Sequence, residues 1–458
     1  MTDLPVVGAP IRRLRALRAE FDRAVWVLAI GDLVASFGFS LIFPFLTIYL
    51  TAELGATAGQ AGLILGLYAI VSIGSNAAGG WLADRVGRKA VMVVSITLTA
   101  IVIAMMGLVR DLAWIAVLTL LLGLIDPPFI PAARAAVADV VPEPRRPRAY
   151  GLLGVAAAIG WIAGPSIGAG LSGFGYGLLF LASGVIVGTY ALILLVAFRE
   201  TKPGLRREMP RSASPVAGDP GIAAATTGLA ETRAGPDTDP PAGSDRAPAD
   251  REAASPALDG RERWLIFGTF LVFAVATHAT AFQWVVTLPI HAYGDLGLST
   301  ATWGLLFALN GILILVFQLR ITSAAERRNR PRFMAVGALW YALGYLVVAL
   351  IPGAELAAPA LAATVILVTI GEMCIYPIEP SFVSELSPPA RRGRDQGLLG
   401  AAIGLGTAIG PVAGGAILEL APGPPLWLVT ATVCAATAAG LWWLGGRTAL
   451  LLPLPARA

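Results

Sequence analysis

Four carboxylic acids lie inside long apolar runs: Asp32, Asp126, Glu372 and Glu379. A carboxylate in hydrocarbon is costly. Such a side chain faces a wet cavity, meets a partner or carries a proton. Proton exchange is therefore the first chemistry that these residues suggest. Asp126 and Glu372 lie mid-run and are 246 positions apart. Asp126-Pro127-Pro128 is also a cap-and-kink pattern, so this acid has a structural reading beside the functional one. Glu372 has no such alternative, and no arginine lies within one helical turn of it. Asp32 and Glu379 lie nearer the run ends, where Arg134 and Arg320 are available as partners. His278 reads as a packing histidine.

Aromatic and amphipathic residues accompany the acids. Phe43, Phe45, Tyr49, Gln283, Trp284, Asn310 and Tyr376 have the composition of a wall around a lipophilic small molecule. Plain core packing has the same composition. Cys374 and Cys434 sit in apolar runs and make neither a disulfide framework nor a zinc spacing. His278 and His291 do not make a metal site. There is no Gly-x-x-x-x-Gly-Lys-Ser/Thr loop, so ATP is not expected to drive the chemistry. No cofactor is expected.

The elements that position these groups follow from composition. Of 458 residues, 56% are hydrophobic and 14% are charged. A soluble domain has about 25% charged residues. The charges cluster and leave apolar runs long enough to cross a bilayer. The chain reads as an all-α integral membrane protein with twelve spans. They lie near 25–50, 59–82, 90–109, 112–141, 149–172, 177–198, 264–293, 300–323, 333–352, 358–386, 394–420 and 425–446. Arg85, Arg88, Lys89, Arg145, Arg146, Arg148, Arg327, Arg328, Arg330, Arg332, Arg391, Arg392 and Arg394 all fall on one side. Only Arg110 falls on the other. The positive-inside rule makes the basic side cytoplasmic, with both termini there. Residues 1–24 and 448–458 are read as cytoplasmic tails. Residues 200–263 are rich in Pro, Ala, Gly, Asp and Arg and are read as a disordered linker. They separate a six-helix bundle at 25–199 from another at 264–447. The net charge of +4 is loop charge, and no nucleic-acid partner is expected.

The two halves repeat. Gly151-Leu152-Leu153-Gly154 recurs as Gly397-Leu398-Leu399-Gly400, and Gly160, Gly164, Pro165 and Gly168 recur as Gly406, Gly410, Pro411 and Gly414. Nearer the start of each half the offset is 242: Gly62 meets Gly304, and Asp84 with Arg88 meets Glu326 with Arg330. Between the second and third spans runs Gly80-Trp81-Leu82-Ala83-Asp84-Arg85-Val86-Gly87-Arg88-Lys89. This loop resembles the signature loop of the major facilitator superfamily of transporters, Gly-x-Leu-x-Asp-Arg-x-Gly-Arg-Lys. The resemblance covers all twelve spans.

It implies two six-helix repeats related by an axis along the membrane normal. It also implies that spans 1, 4, 7 and 10 line a central cavity. Asp84 is then expected near Asp395–Gly397, at the positive end of span 11. Arg88 is expected on Asp139. Such contacts would latch the cytoplasmic side of an outward-facing state. The second half keeps Glu326, Arg330 and Glu385 but lacks the glycine. Gly160, Gly164, Pro165 and Gly168 resemble the superfamily's antiporter motif, with Ala169 in place of its last glycine. The copy at Gly410, Pro411, Gly414 and Gly415 is complete. Helix packing alone also accounts for such glycines.

The reading is a monomeric secondary transporter of the bacterial inner membrane, resembling the twelve-span drug:proton antiporters. Its partners would be a small-molecule substrate, protons and the lipid bilayer. The alternatives are a transporter of a lipid, sugar or metabolite, in export or in uptake, and a membrane receptor or enzyme on a similar scaffold. The last predicts a catalytic pair or a folded extramembrane domain. The sequence contains neither, so no enzyme activity is expected.

Overall fold

The computed structural model describes residues 21–142, 145–202, 260–326, 328–388 and 391–451. The expectations for the N-terminal tail to residue 20, for the linker from 203 to 259 and for the end of the C-terminal tail fall outside these residues. Among the described residues, twelve helices are long and apolar enough to cross a membrane. They are α1 Arg23–Glu53, α2 Ala58–Val86, α3 Arg88–Leu108, α4 Leu112–Val140, α5 Arg148–Ser172 and α6 Tyr176–Ala197. The second half has α7 Arg261–Gly294, α8 Thr300–Ala325, α9 Arg330–Ala349, α10 Ala354–Leu386, α11 Arg392–Leu420 and α12 Pro424–Thr448. The chain is a multi-pass helical membrane protein.

Four helices are interrupted: α1, α4, α7 and α10. The α1 helix passes through a 3-10 turn at Phe43–Phe45, where Pro44 lacks an N–H to donate. The α4 helix stops at Ile125 and resumes at Phe129, across Pro127-Pro128. The α10 helix stops at Ile375 and resumes at Glu379, across Pro377. The α7 helix breaks at Phe282, seven residues before Pro289.

Packing repeats with the sequence. In the first half α1 packs on α5, α3 on α6 and α2 on α4. In the second half α7 packs on α11, α9 on α12 and α8 on α10. The halves meet through α2 on α11 and α5 on α8. Small residues let these helices approach closely. A Cβ on Gly62 would lie 2.1 Å from the Pro411 carbonyl oxygen, and one on Gly304 would lie 2.6 Å from that of Pro165.

Those contacts belong to one end of the molecule, where α2 and α8 begin and α5 and α11 finish. Ser172 there donates to Thr300 Oγ1 at 3.1 Å. At the other end, which carries the basic loops, Cβ atoms on Gly151, Gly154, Gly397 or Gly400 would meet open space. The halves are shut at the first end and parted at the second.

Several boundaries differ from expectation: α10 begins at Ala354 rather than 358, and Thr448 ends α12 instead of opening the tail; two others have a visible cause. The α7 helix starts at Arg261 rather than 264, because Arg263 is buried with Asp395 and is no solvent residue. Glu200 is held at the start of α3, Thr201 at the end of α4 and Lys202 at the end of α2, so the three are no part of a free linker.

Candidate functional site

A cavity of about 730 Å³ opens between the halves and runs toward the basic end. Asp126 lines it, with Tyr68, Ser72 and Asn76 of α2 and Gly397, Gly400 and Ala401 of α11. A second cavity of about 320 Å³ shares Phe43, Phe282 and Val285 with it. Among the described residues, Glu372 is the only acidic or basic one lining that second space.

Its walls are aromatic. Phe307 stacks on Trp284 at 4.7 Å and on Trp161 at 6.3 Å, and Phe43 meets Trp161 edge-on at 5.7 Å. Trp161 comes from the first half, Trp284 and Phe307 from the second. Glu372 is 8% exposed. Trp284 Nε1 of α7 donates to its Oε1 at 2.9 Å, and Asn310 Nδ2 of α8 donates to its Oε2 at 2.7 Å. Both donors lie on helices other than the acid's own. A shift of either helix therefore changes what the carboxyl group meets.

The other three acids differ. Asp126 Oδ1 accepts from Thr99 at 3.4 Å, and the residue caps α4 only through its backbone. The resumed half of α4 has no side-chain cap, so the kink is present and the Asp126 side chain does not make it. Glu379 does not pair with Arg320. It opens the second half of α10 and meets His278 Nε2 at 2.9 Å, both side chains being buried. His278 in turn stacks flat on Tyr376 at 5.0 Å. Asp32 does not pair with Arg134 and makes no hydrogen bond among the described residues.

Phe43, Trp284, Asn310 and Tyr376 line the second cavity. Tyr49 does not. It packs on Tyr176 and Phe180 and donates to Val109 O at 3.2 Å. Gln283 does not either. It donates to Gly410 O at 2.7 Å and ties α7 to α11. Phe45 is fully buried beside Gly168 and Gly304. These three lie on helices that are apolar all round, where type alone does not tell which face looks inward.

The glycine motif packs helices. A Cβ at Gly160, Gly164 or Gly168 would strike α1, and one at Gly406 or Gly410 would strike the backbone of α7. A Cβ at Gly414 would strike the Gln283 side chain. Gly415 faces Gly62, and at the matching place Ala169 faces Gly304.

At the basic end Gly87 turns the chain with φ 115°, a conformation that favours glycine. Arg88 meets Asp139 at 3.0 Å and Asp84 at 3.1 Å. Gly80 lies beside Pro131. The Arg85 guanidinium covers Trp81 at 4.1 Å, and Lys89 Nζ donates to Leu195 O at 2.8 Å. The expected contact of Asp84 with Asp395–Gly397 is not made. The Asp84 side chain is 71% exposed, and Asp395 is buried on Arg263 at 3.2 Å and Ser387 at 2.8 Å. The halves are parted at this end, so α11 stands away from the loop. In the second half Arg330 reaches Glu385 at 2.7 Å without any glycine turn, while the Glu326 side chain lies outside the described residues.

Sequence reasoning missed Glu200. Its Oε1 accepts from Arg88 N at 3.0 Å and its Oε2 from Lys89 N at 3.1 Å, which caps α3. Thr201 then donates to Asp139 at 3.3 Å. A lone acid after an apolar run gives little signal of this.

Known proteins share the sequence pattern. The family described as Major Facilitator Superfamily matches residues 28–294 and 265–456. The uncharacterized MFS-type transporter YqjV of Bacillus subtilis is 26% identical over 412 residues, 88% of each chain. The multidrug resistance protein MdtG of Serratia proteamaculans is 33% identical over 198 residues, 42% of this chain and 47% of that one. A crystal structure of a single-site mutant of the nucleoside transporter NupG aligns with a TM-score of 0.70 at 14% identity, covering 92% of this chain and 99% of that one.

Proposed function

The chain belongs to the major facilitator superfamily of transporters, and we propose that it exports lipophilic small molecules in exchange for protons. The membrane is the bacterial inner membrane, with the basic end and both termini in the cytoplasm. The protein works by alternating access. The conformation described is open to the cytoplasm and shut outside.

The observation that carries this reading is Glu372 in its aromatic cavity. A flat apolar cation fits both features. Stacked rings hold its faces, and the carboxylate meets its charge. The same carboxyl group binds a proton when the substrate is gone. Substrate and proton then compete for one oxygen pair, which gives one-for-one exchange. The name of the multidrug resistance protein MdtG supports a drug-like cargo, and the name of a Na(+), Li(+), K(+)/H(+) antiporter of Planococcus maritimus, 29% identical over 187 residues, 40% of this chain and 43% of that one, supports coupling to protons. Asp126, which faces the larger cavity, is the second candidate.

The test is proton release from detergent-solubilised protein on adding a fluorescent lipophilic cation. Wild type should release protons as the dye binds. Glu372→Gln should bind the dye more weakly, through the aromatic rings alone, should release no proton, and should lose gradient-driven export in proteoliposomes. Undiminished release from Glu372→Gln would remove Glu372 from the mechanism. Dye accumulation along an inward gradient, with no pH dependence, would point to uptake instead.

A further inference from the structure

The shut end holds a contact between the halves that the proton chemistry does not use. Thr57 precedes α2 and begins a capping box. Its Oγ1 accepts from Gln60 N at 3.2 Å, and Gln60 Oε1 accepts from Thr57 N at 3.0 Å. The box leaves other N–H groups of the first turn without an intrahelical partner. Gly59 N is one of them. Glu419, in the last turn of α11, supplies the acceptor: its Oε2 takes Gly59 N at 3.0 Å and the Thr57 hydroxyl at 2.8 Å. A carboxylate is favoured at a helix N-terminus by the free N–H groups and the helix dipole. A Cβ on Gly59 would lie 2.2 Å from that same oxygen, so only glycine leaves room for it.

We propose that Glu419 is the clasp of the outer gate: from the second half it completes the cap of α2 in the first half, and it holds the outside shut while the inside is open. The inference rests on the alternating-access reading. The α2 and α11 helices run antiparallel, so each end of the pair sets a C-terminal acid opposite an N-terminus. Outside, Glu419 faces the start of α2 and the contact is made. Inside, Asp84 belongs opposite the start of α11 and the contact is broken, with Asp84 turned to solvent. One helix pair thus carries both clasps, and rocking the halves trades one for the other. The related pair, α5 with α8, carries only the Ser172–Thr300 hydrogen bond at the outer end. Glu419 therefore supplies the one carboxylate bridge between the halves there, among the described residues.

The test uses full-length protein with Cys374 and Cys434 replaced by alanine. Spin labels at Phe174→Cys and Glu355→Cys report the distance across the outer end, and labels at Val196→Cys and Arg392→Cys report the inner end. Spectra are recorded without substrate or gradient, so a wrong substrate assignment does not affect them. Glu419→Gln removes the charge. Gly59→Ala obstructs the berth and leaves the charge in place. Each should raise the ratio of outer-open to outer-shut molecules about two- to thirtyfold, the effect of losing one helix cap. The ratio of inner-shut to inner-open molecules should rise in the same proportion. An outer distribution unchanged in either variant overturns the proposal, because acid and berth are two sides of one contact. A misfolded variant is recognised by broadening at both ends, and Thr57→Val, which removes the other donor to Glu419, then decides the question in the same assay. Wild type locked at a single distance under all conditions would instead overturn alternating access itself.

Discussion

Gly62→Ala should push the molecule out of the conformation described here. The added Cβ would sit 2.1 Å from the Pro411 oxygen, 2.9 Å from its carbonyl carbon and 3.3 Å from Gly415 Cα. Ordinary heavy-atom contact needs about 3.5 Å. The obstacle is backbone, so no rotamer relieves it. The α2 and α11 helices must part by about 1 Å, and overpacking of this kind costs about 1–3 kcal/mol. The cost arises only while the outer end is shut. It therefore falls on the equilibrium between conformations rather than on folding. At about 1.4 kcal/mol per factor of ten, the outer-open share should rise about 5- to 140-fold. A cysteine at Thr300, labelled by an impermeant maleimide from outside, reads that share as a rate. Gly154→Ala is the control, because a Cβ there meets open space. If Gly62→Ala labels no faster than Gly154→Ala, then close packing of α2 on α11 is not what seals the outer end.

Two further substitutions test charges. Arg263→Met leaves Asp395 buried without its cation, at a cost of about 3–5 kcal/mol. The melting temperature in detergent should fall, and Asp395→Leu added to it should restore most of the loss. A single variant melting with wild type would show the pair to be idle. Glu200→Gln removes the charged cap of α3 and should cost about 0.5–2 kcal/mol locally. Amide exchange near Arg88 and Lys89 should quicken about two- to thirtyfold, with exchange near Gly175, which starts α6, unchanged. Equal exchange in variant and wild type would return Glu200 to an ordinary chain end.

The fold is legible in the sequence because a bilayer restricts the choices. Twelve apolar runs and one-sided arginines leave little else for the chain to be. Three of the four breaks are also legible, at Pro44, Pro127-Pro128 and Pro377. The break in α7 is not, since Pro289 lies beyond it. Charged residues near the ends mislead in the other direction. Arg263 reads as a solvent residue, but it is buried on an aspartate 132 positions away. His278 meets Glu379 across 101 positions, a pairing that no spacing announces. The cavity is legible by residue type and not by face, which is why Trp284 lines it and its neighbour Gln283 does not.

The repeat explains why one acid of an equivalent pair is the better proton carrier. Asp126 and Glu372 occupy matching positions, and so do Tyr68 and Asn310 on the helices facing them. The scaffold is the same in both halves: α2 packs on α4 as α8 packs on α10. The donors are not. Asn310 reaches Glu372 at 2.7 Å, while Tyr68 lines the same cavity as Asp126 without a hydrogen bond to it. Trp284 adds a second donor to Glu372, and its counterpart at the offset of 242 is Ile42, which has none to give. Both oxygens of Glu372 are thus held by α7 and α8, and motion of either helix changes what the group can bind. Asp126 has one long contact to Thr99, inside its own half. Packing is shared between the halves and the polar chemistry is not. On this argument Asp126→Asn should weaken export less than Glu372→Gln under the same gradient. Equal losses would mean that the two acids act as one unit, and that the donors to Glu372 do not set it apart.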